Sequence, residues 1–158
     1  MKFLKYLPIT LLLLSAVWGC KKEEQGAPIS PAVYLVANTI TGPGSTAVTA
    51  MGNTASGKVS VSPAVAKIYV NAPQSTDLTI YYKLSGTAVA GTNYTTPDPM
   101  SVTIPAGTWT GKISIPIINT ALSGNKTIII TLDSASNNTQ LGLGSGKAYN
   151  TFTYTLTN

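Results

Sequence analysis

At 158 residues the chain has room for one domain and an N-terminal extension. Only 9 % of it is charged, histidine and arginine are absent, and Thr, Ser, Asn and Gly fill the polar positions, as on a β-rich extracellular surface. Ten lysines against five acids give a net charge of +5, but from Ala27 onward six lysines (58, 67, 83, 112, 126 and 147) face three acids (Asp77, Asp98 and Asp133), one to a strand or loop. Nucleic-acid binders cluster their cations and add arginine, so no nucleic-acid partner is expected.

The N-terminus reads as an address. Met1 to Lys5 is a positive leader, and Leu7 to Trp18 is an apolar run too short to span a bilayer as a helix. It ends at Val17-Trp18-Gly19-Cys20, and Cys20 is the single cysteine. A small residue before a lone Cys, directly after such a run, resembles a bacterial lipoprotein signal, although Trp18 is bulkier than that motif usually carries. The resemblance implies removal of residues 1–19 and attachment to the membrane through lipid on Cys20. An uncleaved anchor helix and an ordinary secretory signal are the alternatives; the short run argues against the first, the lone thiol against the second. Lys21, Lys22, Glu23 and Glu24 follow as a solvated mixed-charge spacer. They also resemble the signal that sends Bacteroidetes-type lipoproteins to the outer face of the outer membrane. A Pro-rich tether completes residues 20–31.

Residues 32–158 alternate as strands do. Ala32 to Asn38 is the first strand. A short edge strand is expected near Ala47 to Ala50, between turns at Gly42-Pro43-Gly44 and Gly52-Asn53. Lys58 to Ser62 alternates, but Val59 and Val61 are odd whereas Ile68 and Val70 are even. That shift calls for a bulge or break between Pro63 and Lys67. Leu78, Ile80, Tyr82 and Leu84 share one face, then Val102 and Ile104, then Ile113, Ile115 and Ile117. Ile128, Ile130 and Leu132 point inward with Ile129 outward, and Phe152, Tyr154 and Leu156 alternate with threonines. Seven or eight strands without helical periodicity or a fixed repeat predict an all-β, immunoglobulin-like antiparallel β-sandwich. It is large enough to hold a core without disulfides.

Without histidine, Ser-His and Cys-His nucleophiles and the usual zinc sites drop out. A glycosidase pair would need two of Asp77, Asp98 and Asp133 in one cleft, whereas each reads as a strand-end or turn residue. Gly142-Leu-Gly-Ser-Gly-Lys147 lacks the P-loop spacing and a following helix, and reads as a flexible hairpin. Trp109, just past the Pro105-Ala-Gly107 turn, is the leading candidate ligand contact, since an exposed indole stacks on sugar rings. Its parity with Ile113 and Ile115 equally suits a lid on the core. Tyr94 in the Gly86–Tyr94 loop and Tyr81 on an outward face are further candidates, Tyr94 being equally suited to packing its ring and tying down its loop. Asp133-Ser134-Ala135 resembles a short O-glycosylation site of Bacteroidetes-type exported proteins, with Ser134 as acceptor; an ordinary strand-end turn is the competing reading.

Tyr82-Lys-Leu-Ser-Gly86-Thr-Ala-Val-Ala-Gly91-Thr-Asn-Tyr94, Val102-Thr-Ile-Pro-Ala-Gly107 and Lys112-Ile-Ser-Ile-Pro-Ile117 resemble Calx-β domains. They are also similar to the immunoglobulin-like N-terminal domain of Bacteroidetes surface lipoproteins linked to glycan use. The resemblance spans roughly Val33 to Leu156. It implies a non-catalytic module that binds glycan or assists its uptake; the alternative is a structural or adhesive protein-interaction module of the envelope. Calx-β domains often hold calcium on acidic end loops. Here Asn93 stands where an Asp is usual, and Asn119-Thr120-Ala121 and Ser123-Gly124-Asn125-Lys126 replace the acidic runs. Three dispersed Asp cannot cage calcium, so no metal and no cofactor is expected.

Overall fold

Alternation from Leu78 onward produces strands whose apolar sides meet across a single interface. In the computed structural model, which describes residues 30–37 and 52–158, nine strands form. They are β1 (Ala32–Val36), β2 (Thr54–Lys58), β3 (Ala64–Val70), β4 (Leu78–Ser85), β5 (Ser101–Ile104), β6 (Thr110–Ile115), β7 (Lys126–Ala135), β8 (Gln140–Leu141) and β9 (Thr151–Thr157). Cys20, Lys21 to Glu24 and the edge strand expected near Ala47 to Ala50 lie outside the described residues. A four-stranded sheet in the order β6-β3-β1-β8 faces a five-stranded sheet, β2-β9-β7-β4-β5. Neighbours are antiparallel except β1 with β8 and β2 with β9. The β-sandwich expected from the sequence is therefore present, with nine strands in place of seven or eight.

The core lies between the sheets and takes the side chains that the alternation assigns to it. Val33, Leu35, Ile68, Leu78, Ile80, Ile113, Ile115, Ile128, Ile130, Phe152 and Leu156 are all buried there. Truncating one such side chain to Ala costs about 2–5 kcal/mol, through lost transfer energy and the cavity left behind.

Two differences from the sequence reading have physical reasons. The strand expected over Lys58–Ser62 ends at Lys58, and Val61 N donates to Lys58 O (2.9 Å) as the chain turns. The parity shift that follows is a break, because β2 serves the five-stranded sheet and β3 the four-stranded one. Val59 is buried just past β2 while Val61 is exposed in the turn, and the even set of β3 faces the core from the other sheet. β1, in turn, is buried on both faces. Tyr34, Val36 and Tyr69 form a second buried cluster outside the sandwich, with Leu143 and Tyr149 packed on it. Tyr34 and Tyr69 stack with ring centroids 6.1 Å apart. The Gly142–Lys147 segment is the hairpin anticipated, closed by reciprocal bonds between Leu143 and Ala148, and it lies over this outer face. The four-stranded sheet is thus covered on its outside over β1 and the Tyr69 end of β3; the five-stranded sheet keeps no buried side chain on its own outer face.

Candidate functional site

Three regions carry the residues that the sequence singled out: one end of the sandwich, the opposite end, and the outer face of the five-stranded sheet.

The first end holds the Gly86–Tyr94 loop. Asn93 is buried, and its side-chain Oδ1 accepts from Val89 N (2.8 Å) while its own N–H donates to Val89 O (2.8 Å). Ile118 N donates to Asn93 O (3.0 Å), Thr120 Oγ1 donates to Thr92 O (3.2 Å), and Thr127 N donates to Thr87 Oγ1 (2.9 Å). The loop and the segment before β7 are therefore stitched together by neutral groups at the position where the family resemblance would place carboxylates. Among the described residues no three His, Cys, Asp or Glu gather into a group that could hold a metal ion. Tyr94 is 6 % exposed and bridges Ile117, so its ring packs and is not presented to a surface ligand.

The opposite end holds Trp109. It is half-buried and belongs to neither buried cluster, so it does not lid the core. Its carbonyl accepts from Val70 N (2.9 Å), beside a turn held by Gly107 N donating to Gln74 O and Ala106 N donating to Asp77 Oδ1 (2.9 Å). The carboxylate of Asp77 thus fixes this turn.

Tyr81, a secondary candidate beside Trp109 in the sequence, occupies the most open setting of the three aromatics. It is 49 % exposed on β4, with Ser101 of β5 on one side and Ser134 of β7 on the other. Thr79 and Thr103 share a hydroxyl hydrogen bond (3.3 Å) one step along, and Lys83 pairs with Asp133 (2.6 Å) one step the other way. The β4–β7 register shifts between Tyr81 and Tyr82, with Leu132 opposite Tyr82 and Ser134 opposite Tyr81. Asp133 is the extra residue of a β-bulge. It lies within β7, where the sequence reading had it closing a strand. Bulges re-aim side chains, and this one turns Ser134 outward and Ala135 onto the core. Beyond Tyr81 the face is a field of hydroxyls: Thr127 and Thr131 from β7, Thr151, Thr153 and Thr155 from β9, and Thr54 and Ser56 from β2.

Among the described residues each acid has a separate place. Asp77 caps the Trp109 turn, Asp133 is ion-paired beside Tyr81, and Asp98 is exposed on the loop before β5. Burial raises the phenols of Tyr34, Tyr82 and Tyr154, with Tyr69 adding to the effect on Tyr34.

The architecture is that of a Calx-β-like sandwich. The chain is similar to the apo-form Calx CBD1 domain, whose crystal structure it matches with a TM-score of 0.59 at 15 % identity, over 81 % of this chain and 96 % of that one. It is also similar to CBD12 from CALX1.2 (TM-score 0.56, 17 % identity) and to the calcium binding domain CBD12 of CALX1.1 (TM-score 0.54, 17 % identity). In both of these it matches 66 % of this chain and 41 % of the longer neighbour. No protein-family model and no curated protein matches the chain. At these identities the likeness is one of fold.

Proposed function

We propose that this chain is a lipid-anchored outer-membrane protein, facing outward, whose sandwich binds glycan without catalysis as part of a glycan-uptake system. The observation that carries the binding step is Tyr81: an aromatic ring standing open between two serines on a sheet face furnished largely with hydroxyls. Such a ring gives a sugar an apolar surface to stack on, and the flanking Ser101 and Ser134 supply donors and acceptors. The face has one cation, Lys83, and one anion, Asp133, near the ring, and they satisfy each other. A neutral glycan is therefore the class that fits. Support for the address comes from the Gly19-Cys20 junction and the Lys21 to Glu24 run.

A glycan array probed with the mature protein and its Tyr81→Ala and Trp109→Ala variants tests the reading. Binding that Tyr81→Ala abolishes is the expected result. Binding to no glycan, together with specific capture of an envelope protein, would replace it with the adhesive alternative.

A further inference from the structure

The chain enters the sandwich at the Trp109 end. Asn71 holds the incoming segment in three ways: its Oδ1 accepts from Ala32 N (2.7 Å), its Nδ2 donates to Ser30 O (3.2 Å), and its N–H donates to Ala32 O (3.0 Å). Gln140 N adds a bond to Pro31 O (3.0 Å). Asn71 is the next residue after Val70, whose N–H donates to Trp109 O. Ala32 on β1 and Trp109 at the start of β6 therefore flank the same end of β3. Two strand spacings put them about 10 Å apart.

We propose that Trp109 is a membrane-contact residue, and that the sandwich stands on the lipid surface with its Trp109 end down. The inference rests on lipidation of Cys20. From Cys20 to Ser30 the chain can span at most about 35 Å, even fully extended. A tether of that reach keeps the Trp109 end at millimolar effective concentration against the bilayer, so a weak contact suffices. Indole favours the headgroup layer, where its ring is apolar on one side and its N–H meets water on the other. The loops at this end, residues 71–77, 105–109 and 136–139, contain no lysine, and their one acid, Asp77, is bonded to Ala106 N. The contact is therefore carried by the indole and not by charge. It leaves Tyr81 on the side wall and the Gly86–Tyr94 loop at the far end, both open to the medium.

Removal of residues 1–19 takes away Trp18 and leaves Trp109 as the single tryptophan of the mature protein. The lipidated mature protein is placed on neutral phosphatidylcholine vesicles carrying a headgroup spin label, and tryptophan emission is followed. The expected result is a blue shift and quenching, unchanged by high salt, that disappear in the Tyr81→Trp/Trp109→Phe double variant, whose sole indole sits on the side wall. No quenching of Trp109 on vesicles that retain the protein overturns the proposal while leaving lipidation intact. Equal quenching of both proteins overturns it too, because the sandwich then has no preferred stance. A mass without the lipid on Cys20 overturns it through its premise. Loss of quenching in salt rejects the indole as the cause.

Discussion

Tyr81 and Ser134 face each other on the outer surface of the five-stranded sheet because Asp133 is one residue too many for the β4–β7 ladder. Were the strand unbulged with Asp133 in the ladder, the inward phase of Ile128, Ile130 and Leu132 would carry Ser134 into the core and Ala135 out of it. Removing the Asp133 side chain and removing the whole residue should therefore both leave the core phase intact. Asp133→Ala breaks an exposed ion pair with Lys83, worth less than about 1 kcal/mol. Deleting Asp133 closes the bulge into a regular ladder in which Ser134 still faces Tyr81 and Ala135 still faces Ile80, so no hydroxyl is driven into the core. Urea midpoints should show a modest change for both variants; a severe loss on deletion would show that the bulge geometry, and not side-chain phase, holds the β4–β7 ladder.

The same geometry sets the glycosylation reading of Asp133-Ser134-Ala135 against the glycan-binding one. The Ser134 hydroxyl is exposed, as an acceptor must be, but it sits directly opposite Tyr81. A sugar attached there would cover the ring. Protein whose intact mass shows an added glycan at Ser134 is expected to bind no glycan through Tyr81, and Ser134→Ala should restore that binding.

Gly86 and Gly91 bracket the loop after β4, and both have positive φ, 113° and 76°. Their surroundings differ. A Cβ on Gly86 would strike the Thr127 carbonyl that closes the loop, while one on Gly91 would meet open space. Gly91→Ala should cost only the backbone strain, about 1–2 kcal/mol. Gly86→Ala adds a backbone collision and should exceed about 3 kcal/mol. Denaturant midpoints of the two variants check the order.

Much of this fold is legible as a period of two. From Leu78 onward the residues expected inward are those found in the core, because each strand there buries one face. Legibility fails where the pairing is made by distant chain. β2, Thr-Ala-Ser-Gly-Lys, has no apolar alternation; it exists through a parallel ladder with β9, and its Gly57 leaves room for the Tyr154 hydroxyl. β8 is two residues long and depends on β1. At the candidate site, the slip from Leu132 to Ala135 carried the same kind of signal as the one between Val61 and Ile68. Trp109 was the more conspicuous residue in the sequence, but conspicuousness reports size, and Tyr81 shows its exposure only once both strand neighbours are known to be serines.

Asn93 tests what the end loops do. Its side chain satisfies the Val89 N–H in a buried position, so Asn93→Ala leaves a donor without a partner and should cost about 1–3 kcal/mol. Calcium cages need several oxygen ligands with clustered carboxylates, and this end supplies amides and hydroxyls. Millimolar calcium or excess chelator should therefore leave the thermal midpoint of the protein unchanged. A calcium-dependent rise would show that neutral groups here suffice to bind the ion.

Alkaline stability follows from three buried phenols. Tyr82 and Tyr154 lie in the main core and Tyr34 in the outer cluster, and burial raises each above its ordinary value of 10.0 because the phenolate is the form that loses solvation. With the folded value above the unfolded one, the folded state holds its protons longer. The contribution is complete below pH 10 and declines as pH rises from there through the folded values. With no histidine to titrate, the urea midpoint should be level from neutral pH to just below 10 and then fall. Tyr82→Phe and Tyr154→Phe remove ionisable groups from the core, so each variant should show a shallower alkaline fall than the parent. A fall in both variants as steep as the parent's would place the alkaline sensitivity outside the buried phenols.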